Sequence, residues 1–220
     1  MAVNNTYELN GIASAPQELF NKLRDDILKN RLQDGEKLTE QIVCERYNVS
    51  RTPVREAFQK LELDGLIEII PNRGAFVRSL SVQDIEDMYE LRKAYEVIAV
   101  TWAIDRISDE ELELLSETYD LMEFYTMKKD SDKLLAMNTK FHQILYNATG
   151  NRMLKHNLTS FQIYTKNTKL SSEYILSYLD QFLSEHKAIF DAVMAKDKEA
   201  ARIAAANHMD NSRRRAGFTG

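Results

Sequence analysis

LTEQIVCERYNVSRTPVREAFQKLELD, residues Leu38 to Asp64, reads as two short helices joined by a tight turn. Thr39 can cap the first helix, and Thr52 followed by Pro53 can open the second. The outline is a helix-turn-helix. In the second helix Val54, Ala57, Phe58 and Leu61 recur at helical spacing and predict a core-facing stripe, which leaves Arg51, Thr52, Arg55 and Gln59 toward solvent. Two arginines and a hydroxyl at a helix start suit phosphate oxygens and guanine edges, because each guanidinium donates two parallel hydrogen bonds. A helical hairpin with a merely solvated polar face carries the same pattern, so the flanking segments decide between the two.

Upstream, APQELFNKLRDDILKNRL from Ala15 to Leu32 sets Leu19, Phe20, Leu23, Ile27 and Leu28 at amphipathic spacing and predicts a helix, closed by Asp34 and Gly35. Downstream, LIEII after Gly65 predicts a short strand with Glu68 outward. Pro71, Asn72, Arg73 and Gly74 then make a turn before a second strand, AFVR. A helix, a helix-turn-helix and a two-stranded ribbon form a winged-helix module. Its ribbon tip can approach the DNA backbone or minor groove, with Gly74 supplying positive φ and Arg73 supplying charge.

The run SRTPVREAFQKLELDGLIEIIPNRGAFV resembles the amino-terminal domain of GntR-type bacterial transcription regulators, and the likeness covers about residues 15 to 80. The resemblance implies DNA-reading roles for Arg51, Thr52 and Arg55 in the recognition helix and for Arg73 and Gly74 at the wing. Gln41 is a departure, since relatives of the fatty-acid-responsive type can carry an arginine there. Glutamine still bonds a phosphate or a base but contributes no counterion release.

The chain has 220 residues, of which 44% are hydrophobic, enough for one large or two small domains with a substantial core. A single cysteine, Cys44, excludes an internal disulfide framework; set among Ile42, Val43 and Tyr47 it reads as a buried thiol, which fits a reducing cytoplasm. The start MAVNNTYELNG lacks a basic region followed by an apolar run, and no stretch approaches a membrane span, so a cytoplasmic protein is expected. The net charge of −5 argues against indiscriminate coating of nucleic acid. Residues 1 to 80 carry 11 Lys and Arg against 12 Asp and Glu, so DNA affinity must come from where the charges sit.

From Ser81 onward the pattern becomes long and helical, and Gly150 is the only glycine between Gly74 and Gly217. The expected domains are therefore 1–80, a winged-helix DNA-binding domain, and 81–220, an all-α bundle for effector binding and dimerisation. The expected fold is mainly α. A helix capped by Ser81 should run to about Arg106 with Ile85, Met88, Leu91, Tyr95, Ile98 and Ala99 inward, followed by helices at about 108–128, 131–148, 151–169, 175–195 and 198–215. The terminal RRRAGFTG reads as a frayed helix end whose arginines complement the helix dipole.

The chain has four histidines, and His142, His186 and His208 are the three of interest. Asn138 and His142, at i and i+4, share a helix face and can bind one ion together. Read without any family, dispersed histidines are more often ordinary helix residues. The second half, however, is similar to the all-helical effector domain called FCD, on the residues ELRKAYE near 90, NTKFHQILYNATGN from Asn138 and EHKAIFDAVMAKDKEAARIAAANHM from Glu185. That likeness implies a divalent metal held by Asn138, His142, His186 and His208, with zinc first and nickel or manganese as alternatives. Asn138 stands where metal-binding members carry aspartate, so the ion would keep its full double charge and attract an anion more strongly. His156 has no such match and reads as exposed.

Arg92, in ELRKAYE, is the candidate effector anchor; either Glu96, one turn on, pairs with it or a ligand carboxylate does. The leading expectation is a metabolite-responsive transcription regulator. A homodimer would bind a pseudo-palindromic double-stranded operator, with repression the expected sense, and a small organic acid would modulate binding. The rival is a helical metalloenzyme using the histidines. Against it, no HExxH motif occurs, and Glu185 beside His186 should point off the ligand face.

Overall fold

The computed structural model describes residues 15–166 and 177–218, and the chain divides into two units between Leu80 and Ser81. In the amino-terminal unit α1 (Ala15–Leu28) buries Leu19, Phe20, Leu23 and Ile27 and packs on α3. It ends four residues earlier than its hydropathy suggests. Asn30 takes a left-handed φ of 53°, and the N–H groups of Arg31 and Leu32 turn back to the Asp26 carbonyl. Leu32 is still buried, which is why the pattern continues past the helix.

Thr39 caps α2 (Glu40–Tyr47), its hydroxyl accepting from the Ile42 N–H at 3.1 Å. Asn48 closes that helix with φ 52°, a conformation asparagine tolerates better than most residues. Helix α3 (Arg51–Leu63) then begins two residues before the expected opening, with Ser50 rather than Thr52 at its cap position. Thr52 and Pro53 sit inside the first turn, where proline's missing N–H costs nothing because those groups have no helical acceptor. Val54, Ala57, Phe58 and Leu61 are buried, so the predicted stripe is the observed one.

The wing is a three-stranded sheet rather than the expected two-stranded ribbon. Strand β2 (Ile67–Ile70) runs antiparallel to β3 (Gly74–Val77), with Ile67 opposite Val77 and Ile70 opposite Gly74. The two-residue β1 (Lys37–Leu38) covers the other edge of β3 and is too short to leave a periodic signal. Gly74 has φ +103°, and a Cβ there would meet the Lys37 side chain at 3.3 Å. Cys44 is half-buried, not buried; the buried position of α2 is its neighbour Val43.

The second unit is all-helical among its described residues. Ser81 with Asp84, and Ser108 with Glu111, form reciprocal capping boxes for α4 (Val82–Arg106) and α5 (Asp109–Lys128). Asp130 caps α6 (Ser131–Ala148), α7 spans Arg152–Lys166, α8 spans Leu179–Met194, and Asp197 caps α9 (Lys198–Arg215). The expected helical stretches 167–169 and 175–176 lie outside the described residues. Helix α4 packs against α6, α7 and α9, while α5 packs against α6 and α8. Leu134, Phe141, Met122 and Val193 lie at the centre of the apolar core.

Two expectations are overturned in this unit. Ala99 is buried as expected and Ile85 and Tyr95 pack partly buried on the core, but the rest of the inward face of α4 is Tyr89, Arg92, Glu96, Val100 and Ala103, whereas Leu91 and Ile98 point outward at 53% and 37% exposure. A buried face containing an arginine and a glutamate is invisible to hydropathy, which selects the apolar stripe on the other side. The carboxy-terminal arginines are not frayed either. Arg213 bonds Glu90 at 2.5 Å, and Arg215 holds Glu185 with two bonds of 2.7 Å.

Candidate DNA face and candidate metal and effector cavity

Arg51, Thr52 and Arg55 are all exposed on the outer face of α3, and Arg73 and Gly74 are exposed at the wing. One groove brings Arg55, Arg73 and Gly74 together with Lys37, Glu40 and Gln59. Gln41, Arg51 and Thr52 are not part of its lining. Gln41 donates to Glu45 at 2.9 Å, and the Arg73 guanidinium lies 5.8 Å from the Phe76 ring centroid. Arg55 is not free: its Nε and Nη2 donate to the two oxygens of Glu40 at 2.6 and 3.0 Å. Glu40 was not singled out in the sequence, since the pair spans fifteen residues and two helices. The Arg55 hydrogen bonds hold the Glu40 carboxyl below its ordinary range.

In the helical unit Asn138 and His142 come from α6, His186 from α8 and His208 from α9. The three histidines are buried, and each offers a ring nitrogen within 4.8 Å of the others. His186 Nδ1 lies 2.7 Å from the Phe182 carbonyl, so that nitrogen carries the proton and donates it. Its Nε2 is then a lone pair, and it faces Asn138 Oδ1 at 2.6 Å. With the amide oxygen inward the two acceptors meet where a cation can sit; with the amide turned, its NH2 donates to the ring instead. His208 Nδ1 donates to Glu185 Oε2 at 3.1 Å, which leaves its other nitrogen as an acceptor. Neither nitrogen of His142 makes a hydrogen bond among the described residues, although its Nδ1 lies 3.5 Å from Glu96 Oε2. A buried orphan nitrogen, a fixed tautomer on each neighbour and an amide oxygen together suit a divalent ion of borderline softness.

Burial, then the neighbouring His208 and His142, push the His186 pKa well below its ordinary value. Burial also lowers the His208 pKa, against the pull of Glu185. Both rings are therefore neutral near pH 7, the state a metal requires. Glu185 corrects the expectation that it points off the site. It is buried and bonded to His208, Arg215 and Asn211, and these partners outweigh burial and bring its pKa down to about 2. A residue adjacent to His186 on one helix reaches His208 on the next, a relation that appears only once α8 and α9 are packed.

A cavity of about 50 Å³ opens beside the histidines, lined among others by Arg92, Asn138, His142, Gln162, His208 and Arg215. At roughly 10–15 Å³ per water, that space suits a few heavy atoms, the scale of a small carboxylate head. Arg92 is buried, donates from Nε to Glu96 Oε1 at 3.2 Å and from Nη1 to Thr165 Oγ1 at 2.6 Å. Tyr146 donates to the same Glu96 oxygen at 2.5 Å. Burial favours the neutral Glu96 carboxyl, but His142, Arg92 and Tyr146 hold it far below its ordinary range. Gln162 Nε2 is buried in the wall with no partner among the described residues. The sequence carried no signal for Gln162, one polar residue in a helix of many. His156 is exposed, as expected.

Residues 16–77 match the bacterial regulatory proteins, gntR family, and residues 87–211, more than half of the chain, match the FCD domain. The chain belongs to the GntR family. It is a GntR-family transcriptional regulator with an FCD domain, and its relatives are regulators, not enzymes. It is 31% identical over 191 residues to the uncharacterized HTH-type transcriptional regulator YdhC of Bacillus subtilis (strain 168), covering 84% of this chain and 83% of that one. It is 28% identical over 202 residues to the HTH-type transcriptional repressor RspR of Escherichia coli (strain K12), covering 92% and 89%. The fold is that of E. coli McbR/YncC, with a TM-score of 0.70 at 19% identity over 91% of this chain and 95% of that one. Among the described residues no helix is long and apolar enough to cross a membrane.

Proposed function

We propose that this GntR-family regulator is a homodimer that binds a pseudo-palindromic operator through α3 and the wing, and that a small organic acid in a metal-containing FCD cavity modulates that binding. The observation that carries the effector reading is the charge balance of the cavity. Arg92 and Arg215 offset Glu96 and Glu185, Asn138 is an uncharged amide, and burial favours the neutral forms of His186 and His208. A divalent ion, zinc first with nickel or manganese as alternatives, would leave its double charge uncompensated and supply the electrostatic attraction for a carboxylate. Arg92 and the Gln162 amide then offer donors to the ligand's oxygens.

Zinc-loaded protein screened against small carboxylates by thermal shift should show a melting temperature raised by one or more of them, and metal-stripped protein should lose that response. A ligand at about 100 times its Kd stabilises the fold by roughly 2.7 kcal/mol, a shift of several degrees. Equal shifts with and without metal would sink the metal-dependent reading.

The outward stripe Leu91, Ala94 and Ile98 on α4 supports the homodimer, because it leaves apolar area exposed along about two helical turns of one chain. Leu91→Glu should convert the dimer to a monomer in sedimentation and weaken operator binding with it. A dimer of unchanged affinity would exclude this stripe as the interface.

A further inference from the structure

The ion pair across the helix-turn-helix bears on how operator and bulk DNA are told apart. Glu40 is the first residue of α2, and it grips one edge of the Arg55 guanidinium with two parallel bonds of 2.6 and 3.0 Å. That edge consists of Nε and one N–H of Nη2. The far edge, Nη1 and the other N–H of Nη2, makes no bond among the described residues, and Arg55 remains 64% exposed at its side chain. The guanidinium can therefore present a second pair of donors outward while the first pair is held. Arg51 makes no hydrogen-bonded pair with Glu40, and its charge reaches that carboxylate only more weakly than Arg55 does.

We infer that Glu40 is a specificity-determining positioning residue: it fixes the plane of Arg55 so that the far edge meets a base, and it cancels the charge that would otherwise make Arg55 a general phosphate contact. Two donors in a fixed plane read the O6 and N7 acceptors of guanine, whereas a mobile cation gains on any sequence through counterion release. A carboxylate beside the arginine lowers the second benefit and preserves the first. The difference between operator and bulk DNA is thereby widened without an added contact. This inference rests on the reading that the outer face of α3 meets DNA.

The test uses the full-length protein and two 30-base-pair duplexes, one selected from random sequence by the wild-type protein and one scrambled. Glu40→Gln should bind the scrambled duplex more tightly, with the log–log salt dependence steeper by up to about 0.9 per protomer. It should also lose preference for the selected duplex, so that the ratio of the two affinities falls about fivefold or more. Glu18→Gln makes the same charge change at an exposed position of α1, away from both Arg55 and Gln41, and should leave that ratio near wild type. An unchanged or raised ratio in Glu40→Gln, or an equal fall in Glu18→Gln, overturns the inference. Arg55→Ala separates it from the reading beneath: if Arg55→Ala binds the selected duplex as well as wild type, the DNA face itself is misassigned. If Arg55→Ala loses binding while Glu40→Gln keeps the ratio, only the role of Glu40 fails.

Discussion

His186→Ala protein, purified beside wild type, should carry less than about a tenth of its divalent metal and show a blunted response to any carboxylate that stabilises the wild type. His186 is fully buried, its Nδ1 is committed to the Phe182 carbonyl, and its Nε2 faces Asn138 and the other two rings. Removing an outer partner of a metal ligand typically costs about 10- to 100-fold in affinity, and removing a ligand should cost more. The remaining set, two imidazoles and a neutral amide, has no carboxylate to compensate. A buried His→Ala change also opens a cavity, so His186→Gln serves as the companion that keeps volume and polarity. Both variants should retain wild-type helicity. Metal content equal to wild type in both would remove His186 from the site.

Arg55→Ala should weaken operator binding about 30- to 20,000-fold in a gel-shift titration while metal content and effector response stay at wild type. A bidentate arginine–guanine contact discriminates by about 5- to 150-fold, and a dimer makes it at two half-sites. The side chain is largely exposed and lies on the face of α3 opposite Val54, Ala57, Phe58 and Leu61, so the core is untouched. Part of the loss comes from Glu40, whose carboxylate would face the phosphates without its partner. Glu40→Gln combined with Arg55→Ala should recover part of the affinity for scrambled DNA but not the sequence preference. Operator affinity within a factor of two of wild type in Arg55→Ala would mean that α3 reads DNA by other residues.

Local signals were legible without coordinates. The caps at Thr39 and Ser81 are side-chain oxygens within three residues of the N–H groups they bond. The stripe Val54, Ala57, Phe58 and Leu61 follows from the helix repeat, and the strand–turn–strand pattern after Gly65 made those elements a winged helix, to which the resemblance to GntR regulators added DNA-reading roles. The shared face of Asn138 and His142 is likewise a matter of four residues on one helix.

What the sequence by itself determined is the set of elements, their order and the family chemistry attached to SRTPVRE, because each depends on residues a few positions apart. Tertiary packing alone decided which face of α4 is buried, since Arg92 and Glu96 become core residues only when Thr165 and Tyr146 arrive from α7 and α6 to bond them. It alone joined Glu185 to His208 and to Arg215, across 23 and 30 residues. It also showed that Arg55 is paired: a charge's partner depends on distance in space, and Glu40 lies on another helix. SRTPVRE named the reading helix; the fold decided how its arginine is held.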